Sequence, residues 1–110
     1  MAQLYFKYGA MGSSKTANAL MVRYNYEERG QDALLVKPAV DMRDGVRTIR
    51  SRSGLSDACV LFHEMDLDAI KAHAYDCIIV DEAQFLTRDE VYLLTELVDE
   101  YNVPVICYGL

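Results

Sequence analysis

The sequence lacks any hydrophobic run of the length that a membrane-spanning helix requires, which is roughly 18–20 residues. Its N-terminus also lacks the basic segment followed by an apolar segment that marks a signal peptide. We therefore expect a cytoplasmic chain that has no membrane partner. No internal repeat is present, which argues against a repeat architecture.

Basic residues are in deficit. The chain carries 17 Asp and Glu against 11 Lys and Arg, and its formal net charge is −6. This balance disfavours sequence-independent binding to nucleic-acid phosphates as the main activity, because such binding depends on a surplus of Lys and Arg. A small anionic ligand remains compatible with it.

Metal-ligand spacing is absent among the cysteines and histidines. Cys59, Cys77 and Cys107 include no C-x-x-C pair, and each lies in an apolar neighbourhood, so we predict buried thiols. His63 and His73 have no partner at ligand spacing. We expect each histidine to be a surface or packing residue.

What is present is the pattern of an α/β domain. At 110 residues, with 52% hydrophobic and 25% charged residues, the chain is long enough for one domain with a core. Short apolar runs predict strands at 3–8, 33–36, 59–62, 77–80 and 103–108. The polar segment 41–56 is predicted to be an irregular connection that carries one short strand around 48–53. Helical patterns are predicted at 15–29, 66–74 and 87–101.

Two of these helices carry informative end signals. In the first, Leu20, Val22 and residues 24–26 are expected to supply apolar surface, and Gly30 is expected to end the helix. In the third, Thr87 and Glu90 have the spacing of a capping box. Alternation of strands with helices predicts a parallel sheet, whose ligands bind beyond the carboxyl ends of the strands.

Residues 9–16 lie between the first predicted strand and the first predicted helix, where a phosphate-binding loop (P-loop) belongs. Gly9, Lys15 and Thr16 match the P-loop template, whereas Ser14 stands where the second glycine should be. In such a loop, backbone N–H groups surround phosphate oxygens, Lys15 reaches the terminal phosphates, and the Thr16 hydroxyl binds Mg²⁺. The alternative is a serine-capped turn followed by an ordinary exposed lysine.

Asp81 and Glu82 directly follow the most apolar predicted strand, 77–80. An acid at this point in a P-loop protein typically holds Mg²⁺ through water, a role that Asp81 fits. Glu82 can instead accept a proton as general base. The alternative is a pair of solvated carboxylates. Both motifs are expected at the same edge of the sheet, where they would form one cleft.

Several segments together resemble the cytosolic type II thymidine kinases of the bacterial sort. The resemblance covers nearly the whole chain, and the combination is far more specific than any one motif. The segments that carry it are 9–16, 25–30, 35–43, 51–55, 80–86 and 104–110.

The resemblance implies transfer of the γ-phosphoryl group of ATP to the 5′-hydroxyl of thymidine, with Mg²⁺ as cofactor. It implies that Glu82 is the catalytic base, that Asp81 and Thr16 hold Mg²⁺, and that the thymidine is contacted by Met11, Gln84 and Phe85. The implied ATP-binding set is Gly9, Ala10, Met11, Gly12, Ser13, Ser14, Lys15, Thr16, Asp41 and Arg43. From the residues alone, Met11 and Phe85 could equally be ordinary core or rim packing.

The chain departs from this family in two respects. Ser14 replaces the usual glycine, and the family's second domain, with a zinc site of four cysteines and a loop that closes over thymidine, lies outside residues 1–110. We therefore expect a single P-loop nucleotide-binding domain without zinc. The resemblance further implies a homo-oligomer, a tetramer in the family, although an exposed face could favour dimers here.

Two other functions remain open at this point. One is a nucleotide-binding fragment without turnover. The other is a fragment of a nucleic-acid helicase, because residues 81–84 also resemble a helicase acidic box and the arginines at 43, 47, 50 and 52 form a local basic cluster. The ordinary interpretation of these arginines is a solvated loop or a subunit contact.

Overall fold

The structure, a computed structural model, describes residues 2–8, 15–39, 48–50 and 56–109. Its main sheet has five strands, which are β1 (Leu4–Tyr8), β2 (Ala33–Lys37), β5 (Val60–Leu61), β6 (Cys77–Val80) and β7 (Val105–Gly109). A separate two-stranded sheet consists of β3 (Thr48–Arg50) and β4 (Ser56–Ala58). The helices are α1 (Lys15–Glu28), α2 (Leu67–Lys71) and α3 (Arg88–Tyr101).

All neighbouring strands of the main sheet run parallel, in the order β1-β7-β6-β2-β5. This confirms the predicted α/β class with a parallel sheet flanked by helices. Because the strands are parallel, their carboxyl ends meet at one edge of the sheet. Asp81 and Glu82, which follow β6, lie at that edge.

The core lies in two layers, one on each face of the sheet. Leu35 and Ile79 belong to the layer that contains Ala19 and Leu20 of α1. The alternate strand residues face the layer that contains α2 and α3, where the buried positions include Val36, Ile78, Val80, Leu94 and Leu97. Each central strand is therefore apolar on both faces, which explains the continuous apolar runs in the sequence.

The ends of the long helices match the predicted signals. Gly30 follows α1 with φ of 72°, a left-handed conformation that glycine adopts without a steric penalty. At the start of α3, Thr87 Oγ1 accepts from the Glu90 N–H at 3.2 Å, and Glu90 Oε1 accepts from the Thr87 N–H at 2.8 Å. The predicted capping box is confirmed.

Three predicted elements differ in extent from the observed ones. The strand predicted at 59–62 is only Val60–Leu61, because Glu64 Oε1 accepts from the Leu61 N–H at 2.9 Å and caps a 3₁₀ helix that follows. The last strand begins at Val105 because Val103 bonds back to Leu97 in α3. The helix predicted at 66–74 is confined to Leu67–Lys71.

Two further features were not expected. Strand β4 pairs antiparallel with β3, which contributes a ribbon outside the parallel sheet, whereas the sequence indicated only one short strand there. Tyr24 was expected to add apolar surface to α1 but is 54% exposed. The buried residues of α1 are Ala19 and Leu20, so the helix contributes less apolar surface to the core than the sequence predicted.

The three cysteines are buried thiols, as predicted. Burial raises the pKa of the Cys107 thiol to about 12 and also raises the pKa of Cys77. Because only the thiolate is nucleophilic, these thiols act as core residues rather than as nucleophiles at neutral pH. In the described part of the chain, no helix combines the length and the apolar character needed to cross a membrane.

Loss of the capping box should weaken the start of α3. We expect Thr87→Ala to lower the free energy of unfolding by about 1 kcal/mol, because the N–H groups of the first turn lose their acceptor. Thr95→Ala is the control in the same helix, since the Thr95 hydroxyl bonds only a helical carbonyl, that of Val91 at 3.0 Å. Urea denaturation of both variants measures the difference, and equal midpoints would contradict the capping contribution.

Candidate functional site

The candidate site lies at the carboxyl edge of the sheet, where α1 begins. Thr16, the second residue of α1, donates from Oγ1 to Asp81 Oδ2 at 3.0 Å. Asp81 follows β6 directly and is only 5% exposed. The end of the first motif and the start of the second, which are far apart in the sequence, therefore meet in one place.

A row of three polar side chains crosses this edge on the α1 face. Asp81 extends the β2–β6 pairing because its N–H donates to the Val36 carbonyl at 2.9 Å, which sets it beside Lys37. Tyr108 is its neighbour on β7, since Cys107 pairs with Val80. The three side chains are between 2% and 5% exposed.

Lys37 is a functional candidate to which the sequence analysis assigned no role. It is 2% exposed, and its Nζ donates to the Thr48 carbonyl at 2.9 Å. This hydrogen bond links the end of β2 to the start of β3. It therefore connects the strand before and the strand after the segment that contains Asp41 and Arg43. The sequence contained one indication that Lys37 is buried. Lys37 lies two residues after Leu35, and alternate residues of a strand point to the same face of the sheet.

Tyr108 adds a neutral hydroxyl group to the same row of side chains. Burial raises the pKa of its phenol, and the Cys77 thiol and the Asp81 carboxylate act in the same direction. The phenol is therefore neutral at physiological pH and presents a hydroxyl rather than a charge to its surroundings. The sequence indicated Tyr108 only as part of a buried strand.

Glu82 has an unusual backbone conformation. Its φ of 55° and ψ of 41° are left-handed, a region that costs roughly 1–2 kcal/mol for a residue with a Cβ. The conformation ends the strand abruptly and starts a short 3₁₀ helix, Ala83–Phe85, in which the Phe85 N–H donates to the Glu82 carbonyl at 3.1 Å. Such strain is typical of functional positions.

The Glu82 side chain is partly buried and engaged by a neighbour. Gln84 Nε2 donates to Glu82 Oε2 at 2.5 Å. The 3₁₀ helix that carries Gln84 lies directly against the end of β7, where a Cβ on Gly109 would come within 3.0 Å of both the N and the Oε1 of Gln84. Gly109 is therefore a close-approach position that sequence reasoning did not identify.

The remaining predicted site residues divide into two groups. Lys15 is the first residue of α1 and is partly buried. Phe85 is 47% exposed, so its side chain is not part of the core. The predicted residues that lie outside the described part of the chain are Gly9, Ala10, Met11, Gly12, Ser13, Ser14, Asp41 and Arg43. Their roles remain predictions, as does the basic cluster of arginines.

The described oxygens fit a hard divalent cation. A carboxylate and a hydroxyl lie 3.0 Å apart, and oxygen donors are the ligands that Mg²⁺ prefers. The Thr16 hydroxyl donates its proton to Asp81, so the lone pairs of its oxygen are available to a cation.

Comparisons with known proteins give a consistent result. The family model described as thymidine kinase matches residues 2–110. A thymidine kinase of Legionella pneumophila (strain Lens) is 47% identical over 120 residues, which cover 100% of this chain and 56% of that protein. The thymidine kinase of Idiomarina loihiensis is 46% identical, and the match covers 100% of this chain and 60% of that protein. The thymidine kinase of Francisella tularensis (strain SCHU S4) is 40% identical, and the match covers 100% of this chain and 59% of that protein. The chain thus spans little more than half the length of these curated relatives.

Proposed function

Because the chain belongs to the thymidine kinase family, we propose that it carries the phosphoryl-transfer site of an enzyme that phosphorylates the 5′-hydroxyl of thymidine with ATP, giving dTMP. The observation that supports this most directly is the Thr16–Asp81 hydrogen bond of 3.0 Å. Phosphoryl transfer depends on positioning and charge neutralisation, and this bond joins the helix that follows the phosphate loop to the metal-binding acid.

Phosphate binding is assigned to the start of α1 and the loop before it. In this proposal Lys15 contacts the terminal phosphates, and backbone N–H groups of residues 9–14 surround them. The proposal also assigns Asp41 and Arg43 to the same phosphates. The Lys37–Thr48 bond, at 2.9 Å, supports this assignment because it anchors both described ends of the segment that carries the pair.

Thr16 and Asp81 would hold Mg²⁺, which when bound to ATP neutralises charge on the β- and γ-phosphates. Glu82, one residue after Asp81, would accept the proton of the thymidine 5′-hydroxyl as that oxygen attacks the γ-phosphorus. The proton thus passes to a Glu82 Oε atom, and the γ-phosphoryl group moves from ATP to the nucleoside, with ADP as the leaving group. Met11, Gln84 and Phe85 are assigned to the thymidine, and the exposed ring of Phe85 is available for stacking.

The same proposal includes three finer properties that the family resemblance implies. The metal is Mg²⁺, the location is the cytoplasm, and the protein is a homo-oligomer. A size-exclusion experiment with light scattering tests the last of these directly, since a monomer mass would contradict it.

The proposed function is tested by assaying ATP-dependent formation of dTMP across a range of Mg²⁺ concentrations. We expect product formation that requires Mg²⁺, and we expect Asp81→Asn to raise the Mg²⁺ concentration for half-maximal rate about tenfold, because a charged ligand of the metal site is lost. Asp99→Asn, an exposed change on α3, is the control. Binding of Mg²⁺-ATP without any dTMP would instead identify a nucleotide-binding fragment without turnover.

A further inference from the structure

We propose that Gln84 is a positioning residue for the Glu82 carboxylate, and that Gly109 provides the space in which Gln84 does this. The inference rests on the proposed function, in which Glu82 is the general base. This role of Gln84 is separate from the contact with thymidine that the proposed function assigns to it. The described contacts around Glu82 carry the inference.

The first step is the hydrogen bond itself. A carboxylate only accepts hydrogen bonds, so the Gln84 group that faces it must be the amide NH₂, which donates from Nε2 to Glu82 Oε2 at 2.5 Å. This bond restrains the orientation of the carboxylate, which in the proposed function receives the proton of the reacting hydroxyl. A glutamate side chain has three rotatable bonds, and restricting their rotation before the reaction lowers the entropic cost of bringing the carboxylate into its reactive position.

The second step is the backbone that makes this contact possible. In a regular helix, side chains two positions apart point to different sides and do not meet. Glu82 and Gln84 are two positions apart, and they meet because Glu82 is left-handed, with φ of 55°. The strained conformation and the hydrogen bond therefore belong to one local arrangement that directs the carboxylate.

The third step is the support behind Gln84. Gly109 ends β7, and a Cβ there would lie 3.0 Å from Gln84 N, 3.0 Å from Gln84 Oε1 and 3.5 Å from the Ala83 Cβ. Contacts of 3.0 Å are tighter than ordinary van der Waals packing. The missing side chain of Gly109 thus lets the amide of Gln84 rest against the strand end with its NH₂ directed towards Glu82.

The test compares kinetic constants for thymidine phosphorylation. Gln84→Met keeps the length of the side chain and removes the donor, and we expect kcat to fall about tenfold, with KM for Mg²⁺-ATP within about twofold. The contact with thymidine assigned to Gln84 is reported separately, by KM for thymidine. Gly109→Ala keeps the donor but displaces it, so we expect a smaller fall of kcat, of roughly threefold. Gln3→Met, an exposed change near the opposite edge of the sheet, is the control.

The decisive readout is a double-mutant cycle. If Gln84 acts through Glu82, Gln84→Met should cause no further loss of kcat in a Glu82→Gln background, whereas independent roles would multiply the two losses. Multiplied losses, or a Gln84→Met variant that raises only KM for thymidine, would overturn the inference. Full turnover by Glu82→Gln alone would overturn the proposed base instead, so the two failures are distinguishable.

Discussion

Replacing Glu82 by Gln should lower kcat for thymidine phosphorylation by about 10²–10⁴-fold, while Mg²⁺-ATP binding remains within about twofold of its original value. The substitution keeps the shape of the side chain and removes its ability to accept a proton. The strained backbone of Glu82 and its hydrogen bond from Gln84 both direct the carboxylate, so the loss is expected in chemistry rather than in binding.

The measurement requires single-turnover rates, which separate chemistry from product release. Titration with a fluorescent ATP analogue and Mg²⁺ reports nucleotide binding separately. Glu96→Gln, an exposed change on α3, removes the same charge away from the site and should leave both quantities unchanged. Turnover by Glu82→Gln equal to that of the Glu96 control would rule out the base assignment.

Replacing Lys15 by Ala should weaken the binding of Mg²⁺-ATP about 10- to 100-fold, because a charge-assisted contact to phosphate contributes roughly 1.5–3 kcal/mol. Lys15 is the first residue of α1, immediately before the threonine that bonds Asp81. The effect should be largest for ATP and small for adenosine, which has no phosphates for the lysine to contact.

Isothermal titration calorimetry with both ligands measures this difference directly. Lys71→Ala is the matched control: Lys71 ends α2, and its Nζ lies 4.9 Å from the centroid of the Tyr101 ring, at a distance from the sheet edge that carries the site. Equal ATP affinity of the Lys15 variant and the control would exclude the phosphate role of Lys15. Equal losses for ATP and adenosine would indicate general damage to the fold.

The sequence was most informative where local chemistry determines structure. The strand Cys77–Val80 was predicted correctly because a run of four apolar residues bounded by polar ones has few other solutions. The capping box of Thr87 and Glu90 was predicted for a similar reason, since it is a local interaction between side chains and the backbone. The meeting of Thr16 with Asp81 followed from the geometry of parallel sheets.

Features that depend on non-local packing could not be predicted in this way. The order of the strands, the edge position of β1 and the ribbon of β3 and β4 depend on which distant segments pair. Burial of Lys37 and the close approach at Gly109 require neighbours from other strands and turns. The left-handed conformation of Glu82 contradicts the ordinary preference of glutamate, and it is stabilised only by the surrounding tertiary structure.

The partner of β1 has a consequence for synthesis on the ribosome. Leu4 is paired with Val105, so β1 gains its neighbour only after roughly a hundred further residues have been translated. Until then its aromatic side chains Tyr5, Phe6 and Tyr8, which are exposed even in the folded state, have no strand beside them. Pairing at such sequence separation is slow, so we expect β1 to join the sheet late, after β7 has been synthesised.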